Sequence, residues 1–278
     1  MGFAASTISG RFARRGPLLG AVVSLALLAP EPPAHAEAPP GWSPAVKAAR
    51  EYVRGRAGTV SFAVRTERRV YGHRRLRSVP SASVLKAMLL VAYLNHPNVR
   101  DRRLRRRDRR LLAPMIRRSD NATASVVRNY VGNRGLRRLA RRAGMRRFVP
   151  VASPWGLSRV NAADQTRFFL RLERLVPSRH RRLAMRLLAS VVPPQRWGVG
   201  EVKPRGWRLY FKGGWGSGTG WVDHQVALLT KGPYRVSAAA MITMSPSHGY
   251  GIATLRGVFR RLLRGLARAG GVQRAKTR

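Results

Sequence analysis

Strand-forming sequence lies at both ends of this chain and helix-forming sequence in the middle, an order that restricts the available folds more than any other feature. After a first helix, PAVKAAREYVRGR, the segments TVSFAVRT and RRVYGH alternate β-branched or aromatic residues with polar ones, the pattern of a two-stranded hairpin. From Pro80 to Pro204 the pattern is helix after helix: Ala82 to Leu94, Leu104 to Met115, Ala122 to Tyr130, Gly135 to Ala143, and AADQTRFFLRLERL, which Asn161 and Asp164 open as a capping-box variant. WRLYFKGG, WVDHQVALL and YRVSAAAMITM then give three strands with short turns between them, so neighbours run antiparallel. A final helix carries Leu255, Val258, Phe259, Leu262, Leu263 and Leu266 on one stripe and is expected to lie on the sheet. The two ends therefore share one five-stranded antiparallel sheet in an α/β (α+β) lobe, residues 45–79 and 205–278. Residues 80–204 form an all-helical lobe, and the cleft between the lobes is the expected ligand site.

With 44% apolar residues in 278, the chain can fill such a core. It has no cysteine, so thiol nucleophiles, thiolate metal sites and disulfides are excluded. The formal charge of +44 invites a nucleic-acid reading, yet all but six of the 55 cationic residues are arginines spread along the whole chain. The densest run, RDRRLRRRDRR, has no aromatic residue for base stacking, so no specific nucleic acid is expected. Anionic cell-envelope polymers are a secondary partner that such a surface would hold.

Arg11, Arg14 and Arg15 precede the apolar run GPLLGAVVSLALLAP, and Ala34-His35-Ala36 stands before Glu37, the layout of a cleavable export signal. The run is shorter than the roughly 20 residues of a spanning helix. Residues 1–36 are thus expected to be removed, 37–44 to be a Pro-rich linker, and the mature domain at 45–278 to be extracytoplasmic and monomeric. The export route stays open.

Chemistry centres on SVPSASVLKAMLL. Ser83 and Lys86 are three residues apart at the start of an apolar helix, so their side chains share a face. A hydrated lysine keeps its proton; one packed among Ala82, Leu85, Ala87 and Met88 is partly desolvated and can accept the serine's. Alone, the pair has an ordinary reading as a helix cap and a lysine, as do Ser119-Asp120-Asn121 at a helix start and Lys212-Gly213-Gly214 at a strand end.

Taken in order, Ser-x-x-Lys, Ser-Asp-Asn and Lys-Gly-Gly resemble the serine β-lactamase and penicillin-binding protein superfamily, and its class A β-lactamase branch in particular. VYGHRRLRSVPSASVLKAMLL, LLAPMIRRSDNATASVVRNYVG and GLRRLARRAGM are similar to that family's segments in the same order. The resemblance implies Ser83 as acylated nucleophile, Lys86 as its base, and Ser119 as proton relay to the leaving nitrogen. It also implies Asn121, Lys212, Gly214 and Trp215 as substrate-binding residues, with the N–H groups of Ser83 and Trp215 around the oxyanion. No metal or organic cofactor is implied, and the substrate would be a small or peptidoglycan-type acyl compound.

Two departures stand out. Gly213 replaces the usual hydroxyl residue, which removes a hydrogen bond to a substrate carboxylate worth about 1.5 to 3 kcal/mol. RRFVPVASPWGLSRVNAADQT holds no glutamate, although class A β-lactamases place their deacylating base in that region. Slow release of the acyl group follows for a β-lactamase-type hydrolase. The alternatives are a D-alanyl-D-alanine peptidase-like penicillin-binding protein or a silent relative that binds envelope polyanions. Neither H-E-x-x-H nor G-x-S-x-G occurs, and Asp223 and His224, adjacent on a strand, face opposite ways and cannot form a triad fragment.

Overall fold

The computed structural model describes residues 38–269, so the expected export signal lies outside the described residues. Helix α1 (Val46–Arg54) leads into strands β1 (Thr59–Arg65) and β2 (Val70–His73), then the two-residue strand β3 (Val79–Pro80). A 3-10 turn, Ala82–Val84, runs directly into α2 (Leu85–Leu94). There follow α3 (Pro97–Arg100), α4 (Arg106–Arg117) and α5 (Asn121–Ala143). A loop with a 3-10 turn at Trp155–Leu157 then reaches β4 (Arg159–Val160), followed by α6 (Ala162–Leu170), α7 (Leu172–Leu175) and α8 (Ser178–Ala189). Strands β5 (Arg208–Gly216), β6 (Val222–Lys231) and β7 (Tyr234–Thr243) precede α9 (His248–Leu262).

The five long strands form one antiparallel sheet in the order β2-β1-β7-β6-β5, as the hairpin patterns require. Both faces are covered, and side chains alternate between them with period two. On β1 and β7, Phe62, Val64, Ala238, Ala240 and Ile242 pack with Ala49 and Val53 of α1 and Leu255, Val258, Phe259 and Leu262 of α9. Their neighbours Ala63, Ala239 and Met241 point the other way, into the core of the helical block. Trp42, in the Pro-rich segment before α1, donates its indole N–H to Arg264 O and packs on the α9 side.

Helix α2 runs through the centre of that block. Every residue from Leu85 to Leu94 is buried, which is why its sequence is apolar on most faces, Lys86 being the charged exception. One buried clasp ties it to α4: the Asp108 carboxylate accepts from Tyr93 Oη at 2.6 Å, Arg102 Nη1 at 2.7 Å and the Arg105 N–H at 2.6 Å. The basic run is therefore not solvated throughout, since one of its acids anchors a helix.

Two sequence expectations are corrected. The basic helix begins two residues later than Leu104, at Arg106. The helices expected at 122–130 and 135–143 are the two halves of α5, separated at Gly132, whose φ of 64° no helix admits and which glycine adopts without steric cost. Strand β3 pairs with β4, Val79 opposite Val160, a ribbon too short to leave a periodic signal. That ribbon brings the loop before α6 to the start of α2.

Candidate active site

Ser83 sits in the 3-10 turn between β3 and α2. Ser81 N–H donates to Ser158 O at 2.7 Å and Ala82 takes a left-handed φ of 41°, so the chain enters the turn from a strained, pinned conformation. Ser83 is half-buried, and its hydroxyl makes no hydrogen bond to any described residue. Lys86, one turn on, is fully buried. Its Nζ donates to Asn121 Oδ1 at 2.7 Å, to Ser119 Oγ at 3.2 Å and to the Ser119 carbonyl. Burial brings its pKa down to about 7 against a smaller opposing pull from Asp120.

The Ser-Asp-Asn triplet divides its work between structure and site. Asp120 caps α5, accepting from Thr123 N–H and Thr123 Oγ1 at 2.7 Å each, and these bonds hold its carboxyl below the usual range. With Asp120 engaged there, Asn121 turns its amide oxygen to Lys86. Ser119, left-handed at φ 58°, turns its hydroxyl between two amines. Lys212 Nζ reaches that hydroxyl at 2.9 Å and the Gly213 carbonyl at 2.7 Å. Lys212 is fully buried; burial, and then the nearby charge of Lys86, hold it well below the ordinary lysine range. Asn121, Lys86, Ser119 and Lys212 are thus one hydrogen-bonded chain across the mouth of the sheet.

Strand β5, at the sheet edge, runs along the turn that carries Ser83. A Cβ placed on Gly214 would lie 2.8 Å from Ser83 N and 2.7 Å from Val84 N, so only glycine permits this approach. Gly213 faces away, and a Cβ there would stand 3.3 Å from Cη2 of Trp197. The missing hydroxyl thus has an indole in its place. Trp197 meets Trp215 edge-on at 5.7 Å, and Trp215 stacks on His248, also at 5.7 Å. His248 Nδ1 lies 2.6 Å from Oδ1 of buried Asp223, whose carboxyl is raised by burial against opposing bonds from His248 and Ser245. His224, on the opposite face, accepts the Ile242 N–H at Nδ1 (3.2 Å), so Nε2 carries the proton donated to Pro80 O at 3.0 Å. Burial holds that ring neutral, with a pKa near 4, and it ties β3 to the sheet rather than serving chemistry.

The loop before α6 crosses the site without a carboxylate. Asp164 is buried where it accepts the Arg146 and Arg147 N–H groups at 3.1 and 2.8 Å and the Asn161 amide at 3.0 Å, the structural role its sequence position suggested. Glu173 pairs with Arg235, and Glu201 accepts the Gly198 N–H at 2.8 Å and faces Arg256. The group that faces Lys86 from the loop is Trp155, whose ring centre is 5.2 Å from Nζ. Sequence reasoning passed over Trp155, Trp197 and His248, because only the fold places them beside the motifs, and over Ser81, which lies next to the Ser83 turn in sequence but carries no motif position. Among the described residues no group of three or more His, Asp or Glu is arranged to hold a metal ion.

A model of the β-lactamase enzyme family matches residues 100–262, which include Ser119, Asn121 and Lys212 and begin after Ser83 and Lys86. The chain belongs to the β-lactamase enzyme family. Solved structures agree in fold. The β-lactamase of Sphaerobacter thermophilus is 19% identical with a TM-score of 0.67, over 80% of this chain and 97% of its own. The class A β-lactamase of Mycobacterium abscessus is 17% identical with a TM-score of 0.66, over 79% and 98%. An ancestral class A β-lactamase is likewise 17% identical, with a TM-score of 0.63 over the same shares. No curated protein sequence matches the chain. The fold of this β-lactamase family member is thus that of a class A-like serine hydrolase.

Proposed function

We propose that this β-lactamase family member is an exported serine hydrolase that acylates Ser83 with a β-lactam or related amide or ester and releases the acyl group slowly. One observation carries the reading: a fully buried lysine, lowered to about 7, one helical turn from an uncommitted serine hydroxyl. Lys86, neutral in part at physiological pH, takes the Ser83 proton as Oγ attacks the carbonyl carbon. The carbonyl oxygen becomes an oxyanion between the N–H groups of Ser83 and Trp215, on the two backbone segments that Gly214 brings together. The C–N bond breaks, and Ser119 passes a proton to the leaving nitrogen, replenished through Lys86 or Lys212. Asn121 steadies Lys86 and presents its amide to the substrate. Lys212 orders Ser119 and favours an anionic substrate.

Slow release is supported by the absence, among the described residues, of any carboxylate hydrogen-bonded to Lys86 or to Ser119. The same observation favours a second reading, a D-alanyl-D-alanine peptidase-like penicillin-binding protein that β-lactams trap. Labelled penicillin followed by mass spectrometry of the intact protein and of its peptides tests both. An adduct on Ser83 that decays with turnover supports the hydrolase; one that persists supports the peptidase; no adduct overturns both. Lys86→Ala should abolish acylation with the fold intact, and an unchanged rate would remove Lys86 from the mechanism.

A further inference from the structure

Trp155 lies on the loop before α6 with its ring against Lys86, and the fold holds it there from two sides. Its indole N–H donates to Ser125 Oγ at 3.1 Å, one helical turn beyond Asn121 on α5. Its neighbour Gly156 is held against the nucleophile turn, with its carbonyl accepting from Ser81 Oγ at 3.2 Å. A Cβ on Gly156 would touch Ala82 Cα at 3.7 Å. The ring itself faces Lys86 Nζ at 5.2 Å. The other groups around that amine are Ser119 and Asn121, both bonded to it, Asp120, which caps α5, and Lys212, a second buried amine on the far side of Ser119. Each of these groups is held by hydrogen bonds within the site or at the start of α5, and the group that faces the amine from the loop is aromatic.

We propose that Trp155 is a water-excluding residue that gives the Ser83 acyl-enzyme its long life, by filling the approach to Lys86 from the loop before α6 with an apolar ring. The inference rests on acylation at Ser83 and deepens that reading. Release requires water to attack the ester carbonyl carbon, a base to take the water's proton, and the bond from that carbon to Ser83 Oγ to break, with Oγ regaining a proton. The indole supplies no base and sets an apolar face against the amine. It follows that a carboxylate on this rigid anchor restores hydrolysis: the side chain of Trp155→Glu is shorter than an indole, leaves room for one water between itself and the ester, and accepts that water's proton.

The test compares wild type with Trp155→Glu, Trp155→Gly and Trp155→Phe, each checked for fold by circular dichroism. Each is mixed with labelled penicillin, and formation and loss of the Ser83 adduct are timed separately by intact-protein mass spectrometry. Trp155→Phe should keep the wild-type adduct lifetime, Trp155→Gly should shorten it by admitting water, and Trp155→Glu should shorten it by about 100-fold, the low end of general-base catalysis. Acylation rates should change far less than release rates. Adducts that all decay at the wild-type rate, with Trp155→Gly folded, overturn the role of Trp155 while leaving acylation standing. Absence of an adduct in wild type overturns the acylation reading itself, and the two failures are therefore distinguishable.

Discussion

Lys86 and Lys212 approach the same hydroxyl, Ser119 Oγ, at 3.2 and 2.9 Å, one from the central helix and one from the edge strand. Burial lowers both lysines, Lys86 to about 7, and the charge of Lys86 adds to the lowering of Lys212. That hydroxyl therefore links the two lowered amines through hydrogen bonds.

Acylation should track the neutral form of Lys86. Its rate should rise with pH through a midpoint near 7, the value burial gives Lys86, and fall about tenfold per unit on the acid side, measured by stopped-flow labelling of Ser83. A midpoint that stays in place in Ser119→Ala but vanishes in Lys86→Met would assign it.

The same shift predicts a stability trend. Between about 7 and 10.5 the unfolded chain holds a proton at Lys86 that the native state has lost, so unfolding free energy rises with pH over that window. The destabilising contribution is full below the native value and gone above the unfolded one. Urea melts of wild type should gain on those of Lys86→Met by several kcal/mol from neutral to alkaline pH, and parallel curves would contradict the shift.

Gly214→Ala should impair acylation more than it impairs folding. The added methyl, under 3 Å from Ser83 N and Val84 N, must push β5 off the Ser83 turn and widen the gap between the N–H groups proposed to hold the oxyanion. Loss of one such donor costs about 3 to 4 kcal/mol of transition-state stabilisation, so acylation should fall by two orders of magnitude or more. A normal rate would place the oxyanion elsewhere.

Gly213→Thr should not restore the hydroxyl that relatives of this motif carry. Its Cβ meets the Trp197 indole at 3.3 Å, and displacing that ring disturbs the Trp215 and His248 stack. A loss of about 1 to 3 kcal/mol is expected from overpacking, read by thermal melting alongside acylation.

Asp108→Asn should cost about 2 to 3 kcal/mol at neutral pH, less than a fully buried pair because Arg102 is partly solvated. Burial raises this carboxyl, but hydrogen bonds from Arg102, Tyr93 and the Arg105 N–H outweigh it and bring the pKa down to about 2. The stabilisation is present above about 4 and is lost as pH falls through 2, so wild type and variant should converge in acid melts.

Much of this protein was readable before folding was considered. Alternation in TVSFAVRT and YRVSAAAMITM, the largely apolar run of α2, and the spacing from Ser83 to Lys86 are local signals, set by the two-residue repeat of strands and the turn of a helix. The kink at Gly132 was legible only as a gap between two helical stretches, since a glycine in sequence does not declare its φ.

The amino-acid order by itself determined the element types, the antiparallel pairing and the candidate nucleophile, because each depends on residues close along the chain. Tertiary structure alone decided that Lys86 and Ser119, 33 residues apart, and Ser119 and Lys212, 93 apart, form one chain of hydrogen bonds. It also decided that Trp155 faces the amine, that Trp197 fills the space beside Gly213, and that Asp108 is an anchor within a run of arginines. Those outcomes depend on which groups lose water when distant segments pack, and desolvation is a property of the assembled core that no local pattern encodes.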